Sequence, residues 1–217
     1  MRTKRIMMSL IGVVITAVSV GAFKFAALGV DPFQSFMSGI DFLIPIPFGT
    51  LYVLVNAVLL LFALVFDRHY IGIATVINLF LVGYIVEFSQ GTLETLFPAA
   101  GAAQRIPAFL LGFVFLCLGS SLYMTADLGV STYDAIALVC TNKWKLGKFK
   151  YVRICTDLVC ILLGVGLYLL GGGQPGRITT FVGFGTIATA FCMGPLIDFF
   201  NRTIAAPMLE KESGRGY

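Results

Sequence analysis

Apolar residues gather along the chain in six stretches, 6–27, 48–66, 71–88, 106–126, 151–170 and 178–200. Each approaches the roughly 20 residues that an α-helix needs to cross a 30 Å hydrocarbon layer. Two shorter apolar runs, 33–46 and 133–140, cannot cross and suit half-helices that re-enter the membrane or lie in its interface. The pattern predicts an all-α polytopic membrane protein. The basic start, Arg2 to Arg5, resembles the first part of a secretory signal. The apolar run behind it is too long for a signal core, so 6–27 is expected to remain as the first span.

Sliding the chain on itself by 100 residues lays Leu28-Gly29-Val30 on Leu128-Gly129-Val130, Gly12 on Gly112 and Ala26 on Ala126. A slide of 111 lays Gly72 on Gly183, Thr75 on Thr186, Phe80 on Phe191, Gly83 on Gly194 and Glu87 on Asp198. Two three-span halves, 1–100 and 101–204, follow. Because three is odd, the halves enter the bilayer from opposite sides and are expected to be inverted repeats about an axis in the membrane plane.

At the same place in each half a helix breaks and another begins. Leu28-Gly29-Val30-Asp31-Pro32 puts an N-cap and a first-position proline after the breaker, and Leu128-Gly129-Val130-Ser131-Thr132-Tyr133-Asp134 puts an S-x-x-D capping box there. Interrupted helices at matching positions of inverted halves point to a binding site near the membrane midplane. Free N-terminal N–H groups at such a site would favour an anionic group on the ligand. Two surface loops, each followed by an interfacial helix, are the alternative.

At 58% hydrophobic and 12% charged, the chain has too few polar residues to cover a core with a water-facing surface. Its mean hydropathy of +0.93 agrees. The net charge of +4 reports topology rather than a nucleic-acid partner. With the N-terminus inside, all lysines and arginines except Lys24, Arg105 and Arg177 fall on the cytoplasmic side, so both termini are expected there. Lysines 143–150 suit anionic lipid headgroups. Five cysteines without a C-x-x-C pair read as buried thiols. One histidine and no phosphate-binding loop leave no His-rich metal site and no ATPase, and no cofactor is expected. Residues 205–217 are charged and glycine-containing and are expected to form a disordered cytoplasmic tail.

An ionisable side chain inside hydrocarbon costs at least about 2.5 kcal/mol, so each one is a candidate for function. Asp157 is the deepest acid; it suits a proton or cation, or an i, i+4 pair with Arg153. Asp31 and Asp134 are explained as caps, yet a cap at a midplane helix start also coordinates a cation or accepts from an amine. Lys24, one turn before the first break, either snorkels to the outer interface or faces an anionic substrate. Asn56 serves helix-to-helix hydrogen bonding or lines a cavity. Gly29, Gly129 and Ser131, which form the breaks, complete the candidate binding set. Glu87 and Asp198 read as solvated helix ends. Ala17-x-x-x-Gly21 and Ala22-x-x-x-Ala26 give the first span a smooth face for another helix, from this chain or from a partner subunit.

The glycine-rich first span, the L-G-V-[DS]-[PT]-[FY] element after it and the G-x-x-T…F-x-x-G…[DE]-F third span of each half resemble the YczE-like family of bacterial integral membrane proteins. The resemblance covers nearly the whole chain. It implies a small protein of the bacterial inner membrane and lends no catalytic residues. No nucleophile and base pair stands at a recognisable spacing, so an enzyme is not expected. Duplicated interruptions and intramembrane acids point to a small secondary transporter or channel-like permease for a small polar, anionic or other, metabolite. A substrate-binding subunit of a multi-component importer, a homo-oligomer or a non-transport membrane partner protein are the alternatives.

Overall fold

The computed structural model describes residues 2–147 and 149–213, and the regular structure among them is all helical. Nine α-helices run in the order α1 (Arg2–Ala26), α2 (Pro32–Leu43), α3 (Phe48–Phe66), α4 (Ile73–Leu96), α5 (Ala102–Ala126), α6 (Thr132–Leu138), α7 (Phe149–Leu170), α8 (Phe184–Phe200) and α9 (Ala206–Ser213). A π-helical turn, Val139–Lys143, prolongs α6, and a second, Asn201–Ala205, joins α8 to α9. The helices α1, α3, α4, α5 and α7, and the stretch built around α8, are long and apolar enough to cross a membrane, six in all among the described residues.

The ends of these spans differ from the hydropathy pattern in two places. The third, expected to stop at Phe88, continues to Leu96. Its polar last turns stay helical with their side chains satisfied on the helix itself: Thr92 and Thr95 return their hydroxyls to Phe88 O and Gly91 O, and Gln90 donates to Glu94. Glu87 therefore lies well inside α4 rather than at its end. The sixth span, expected from Ile178, begins as a helix only at Phe184, because Pro175–Thr180 forms a tighter 3₁₀ segment and Gly183 breaks the chain after it. The tail expected to be disordered from Ala205 is helical to Ser213, with Leu209 against the Met8, Leu122 and Ala126 cluster. Residues 214–217 and Lys148 lie outside the described residues.

The centre of the bundle is α1, packed on α4 and α5, and α5 in turn holds α8. In a bilayer, apolar side chains gain little by meeting one another rather than lipid, so close approach of small residues has to hold helices together. Gly12 and Gly119 meet backbone to backbone, a Cβ on either one lying 2.7 Å from the other's carbonyl oxygen. Gly112 closes on Ser19 and Ala22, which makes the α1 and α5 pair antiparallel. A Cβ on Gly21 would lie 1.9 Å from Ser89 Oγ on α4. The small-residue face of α1 is thus occupied from within the chain. The short helices pack the same way: α2 runs parallel to α7, with Gly39 at Gly164 and Leu43 at Gly171, and α6 runs beside α3.

Neither short helix lies apart at the edge of the bundle. Phe33, Gln34, Ser35, Met37 and Gly39 of α2 are buried, as are Thr132, Tyr133, Asp134, Ala135 and Ala137 of α6.

Candidate functional site

The site is built on the two breaks. The chain leaves α1 through Ala27 (φ 53°) and Gly29 (φ 103°), and leaves α5 through Asp127 (φ 53°) and Gly129 (φ 108°). Left-handed residues stop a helix by turning its next N–H groups away from the helix axis. Those groups are then satisfied by distant segments. Val30 N donates to Phe181 O at 3.2 Å and Leu28 O accepts from Gly185 N at 2.7 Å. Val130 N donates to Tyr70 O at 3.1 Å and Leu128 O accepts from Ala74 N at 3.0 Å. The approach is close enough that only glycine fits. A Cβ on Gly29 would stand 2.7 Å from Gly183 N, and one on Gly129 would stand 2.5 Å from Gly72 N. A threonine closes each junction: Thr75 Oγ1 accepts from Gly72 N and donates to Val130 O, and Thr186 Oγ1 accepts from Gly183 N and donates to Phe181 O.

Past each break a capped helix starts. Asp31 Oδ1 accepts from Gln34 N at 3.1 Å, and Ser131 Oγ accepts from Asp134 N at 3.1 Å. The caps take up N–H groups that an anionic ligand would have used. Instead of reaching back to the Ser131 N–H as a capping box would, the Asp134 carboxylate accepts from Ser131 Oγ at 2.7 Å and from the Tyr123 hydroxyl at 2.8 Å. Its other oxygen pairs with the Arg153 guanidinium.

Arg153 joins two acids. Its Nε lies 3.2 Å from Asp157 Oδ1, one turn along α7, while its NH1 reaches Asp134 on α6. The side chains of Asp134 and Asp157 are only 10% and 14% exposed, so the ion pairs stand largely out of water. Tyr133 donates to the same Asp157 oxygen, and its ring lies 4.4 Å from the Arg153 guanidinium carbon. Phe33, one residue into α2's first turn, stacks on the Tyr133 ring at 5.0 Å, so the starts of α2 and α6 meet ring to ring. Tyr52 stands edge-on to Phe33 at 6.1 Å. From Tyr52 a further chain runs through α3: Asn56 donates to Tyr52 O at 2.8 Å and accepts from Thr132 Oγ1 on α6, while the Tyr52 hydroxyl reaches Asn78 at 3.3 Å.

Of the residues singled out from sequence, Asp31, Ser131, Asp134, Asp157 and Asn56 come together around the starts of α2 and α6. Gly29 and Gly129 stand behind them and shape the backbone. Lys24 stands with its Nζ 3.0 Å over the Phe48 ring and has Asp41, Glu87 and Asp31 among its charged neighbours. Glu87 itself accepts from Gly49 N at 3.1 Å. Asp198, at the matching place in α8, pairs with Arg202 at 2.8 Å. Tyr123, Thr132, Tyr133, Gln34 and the second role of Arg153 have no marker in the sequence other than position: Thr132 and Tyr133 are one and two residues from the Ser131 cap, Gln34 is three from Asp31, and Tyr123 and Arg153 lie on α5 and α7.

A family profile matches residues 3–202, nearly the whole described chain, and its description is a family of unknown function, DUF6198. The chain belongs to DUF6198. Among relatives, the uncharacterized membrane protein YczE of Bacillus subtilis is 27% identical over 175 residues, covering 80% of this chain and 74% of its own. The uncharacterized protein YyaS of the same organism is 21% identical over 207 residues, 95% of this chain and 96% of its own. A Haemophilus influenzae protein is 27% identical over 135 residues, 62% of this chain and 55% of its own. No solved structure matches. Membership of a family of unknown function names no chemistry, so the chemistry is argued from the residues.

Proposed function

We propose that the chain is a small secondary transporter or channel-like permease for a small polar solute, built from two inverted three-span repeats in the bacterial inner membrane. The observation that carries the reading is the part-buried Arg153, Asp134 and Asp157 cluster lying where two short helices begin. Charges out of water cost several kcal/mol each even when paired, and a purely structural bundle of this size would be as stable with apolar residues there. Their presence suits a site where charge has to move.

The repeat is supported by the recurrence of one set of bonds. Val30 to Phe181 and Val130 to Tyr70, and Gly185 to Leu28 and Ala74 to Leu128, are the same contacts at offsets of 100 and 111. Running with α7 and α3, which are crossings of opposite sense, α2 and α6 leave the centre in opposite directions. Lys4 Nζ donates to Met208 O, which sets the N-terminus and α9 side by side and fits both termini being cytoplasmic. The small-residue face of α1, which would have suited an ATPase-bearing partner, is spent on α4 and α5. Each cap takes one backbone N–H at its helix start, that of Gln34 and that of Asp134, which leaves fewer donors for an anion.

The test is efflux from liposomes loaded with a mixture of amino acids, amines, organic acids, sugars and vitamins and assayed by mass spectrometry. Wild type should release at least one solute faster than protein-free liposomes, and Asp157→Asn, which still elutes as a folded species, should not. Identical release from all three would reject the permease.

A further inference from the structure

Resting on the permease reading, the side chains around Arg153 also name a class of solute. Asp134 and Asp157 hold Arg153, and Asp31 at the cap of α2 stands close enough to interact with both Asp157 and Arg153. Asp134 and Asp157 are two carboxylates on one guanidinium, which gives the group capacity for a second positive charge, while Asp31 also has the Lys24 ammonium as a charged neighbour.

The groups that hold the Arg153 guanidinium are carboxylates and an aromatic face. The Tyr133 ring already carries a guanidinium at 4.4 Å, and Phe33 backs it at 5.0 Å. An aromatic face beside carboxylates is how proteins hold ammonium and guanidinium groups. Gln34, 3% exposed on the first turn of α2 next to Phe33, has a buried Oε1 with no hydrogen-bond partner among the described residues. Buried acceptors in folded proteins are nearly always satisfied, so an orphan carbonyl on the first turn of α2 is a place for a donor that arrives with a ligand. Arg153 is itself able to leave: it lies four residues from the start of α7, about 6 Å along the axis, and is 27% exposed. A long arginine stem at that depth can carry its head to water.

We propose that the site binds a small monovalent organic cation of the ammonium or guanidinium class, which replaces the Arg153 guanidinium over Tyr133 and between Asp134 and Asp157 while Arg153 turns to the aqueous side. Arg153 is then a tethered competitor that keeps the empty site neutralised.

The protein in lipid nanodiscs is titrated calorimetrically with ethylguanidinium chloride and ethylammonium chloride, with sodium chloride and sodium ethyl phosphate as controls at constant ionic strength. One site per chain should take an organic cation, and its Kd should weaken at least tenfold in Asp157→Asn and in Tyr133→Leu. Tyr133→Leu removes the ring without stranding a carboxylate that Arg153 does not already hold, so it tests the site where Asp157→Asn is poorly folded. Arg153→Gln should tighten the same Kd about tenfold. An equal response to sodium chloride, tighter binding of ethyl phosphate, or binding that appears only in Arg153→Gln would overturn the proposal, the last making Arg153 a fixed counter-ion. Efflux confined to neutral or anionic solutes would overturn it and leave the permease standing. Ethylguanidinium binding without efflux of any solute would do the reverse.

Discussion

Replacing Gly129 by alanine puts a methyl group into the junction between the second break and the start of α4. The new Cβ would lie 2.5 Å from Gly72 N, 2.7 Å from Thr75 Oγ1 and 2.8 Å from Gly72 Cα, and two of those atoms are backbone with no rotamer to change. The residue would also have to hold φ near 108°, outside the small left-handed region open to alanine. Such backbone strain costs about 1–3 kcal/mol, and forcing a methyl group into a closed contact costs a further 1–3 kcal/mol or so. The expected loss is therefore about 2 kcal/mol at the least and roughly 6 at most. For a chain of this length each kcal/mol moves the melting midpoint by about 2–4 °C, so the apparent Tm in detergent should fall by at least about 4 °C. Gly29→Ala should lose a similar amount, since its Cβ would meet Gly183 N at 2.7 Å with φ near 103°. The internal control is Gly91→Ala on α4, where nothing lies within 4 Å and alanine is the better helix former. Tm is read by thiol-reactive dye uptake, using the buried Cys117 and Cys140 as reporters. If Gly129→Ala melted within a degree of Gly91→Ala, the backbone contact at the break would be wrong, and with it the geometry from which the site is built.

Other expectations follow from the same contacts. Arg153→Met should destabilise the protein by about 3–5 kcal/mol because it strands two mostly buried carboxylates, and adding Asp134→Asn and Asp157→Asn should recover most of the loss; no recovery would contradict the pairing. Thr75→Val should cost on the order of 1–3 kcal/mol, because Gly72 N loses its acceptor and Val130 O its donor, and the shift is read by the same thermal assay. A double-mutant cycle on Phe33→Leu and Tyr133→Leu should return a coupling of about 0.5–1.5 kcal/mol for the ring stack; a coupling of zero would separate α2 from α6. Reporter fusions at the two termini should report the same compartment, as the contact of Lys4 with Met208 requires.

What was legible in the sequence was what local pattern encodes. Six apolar runs gave six spans, because a 19-residue run such as Phe48–Phe66 has no other stable form in lipid. Gly29 and Gly129 were legible as breaks, Asp31 and Ser131 as caps, and the i, i+4 spacing of Arg153 and Asp157 as a pair. The rest was not, because it joins residues on different helices. Asp134 to Arg153 and Thr132 to Asn56 are made by packing α6 against α7 and α3, and no spacing along the chain marks them. Arg153 was counted as a cytoplasmic charge for the same reason: four residues into a span, its side chain turns inward to a carboxylate that only the fold brings near. The hydropathy boundary at Phe88 failed where serine and threonine hydroxyls bond back to the helix and let polar residues continue it.

The junctions at the breaks also set an order of events. The N–H groups of Gly29 and Val30 are satisfied only by Thr180 and Phe181, so they wait until almost the whole chain has been made. The second break has its partners Tyr70 and Ala74 already in place when it emerges. The first break therefore closes after the second during biosynthesis. A chain released before residue 185 would leave open backbone at a helix end in lipid, which marks it for removal by membrane quality control.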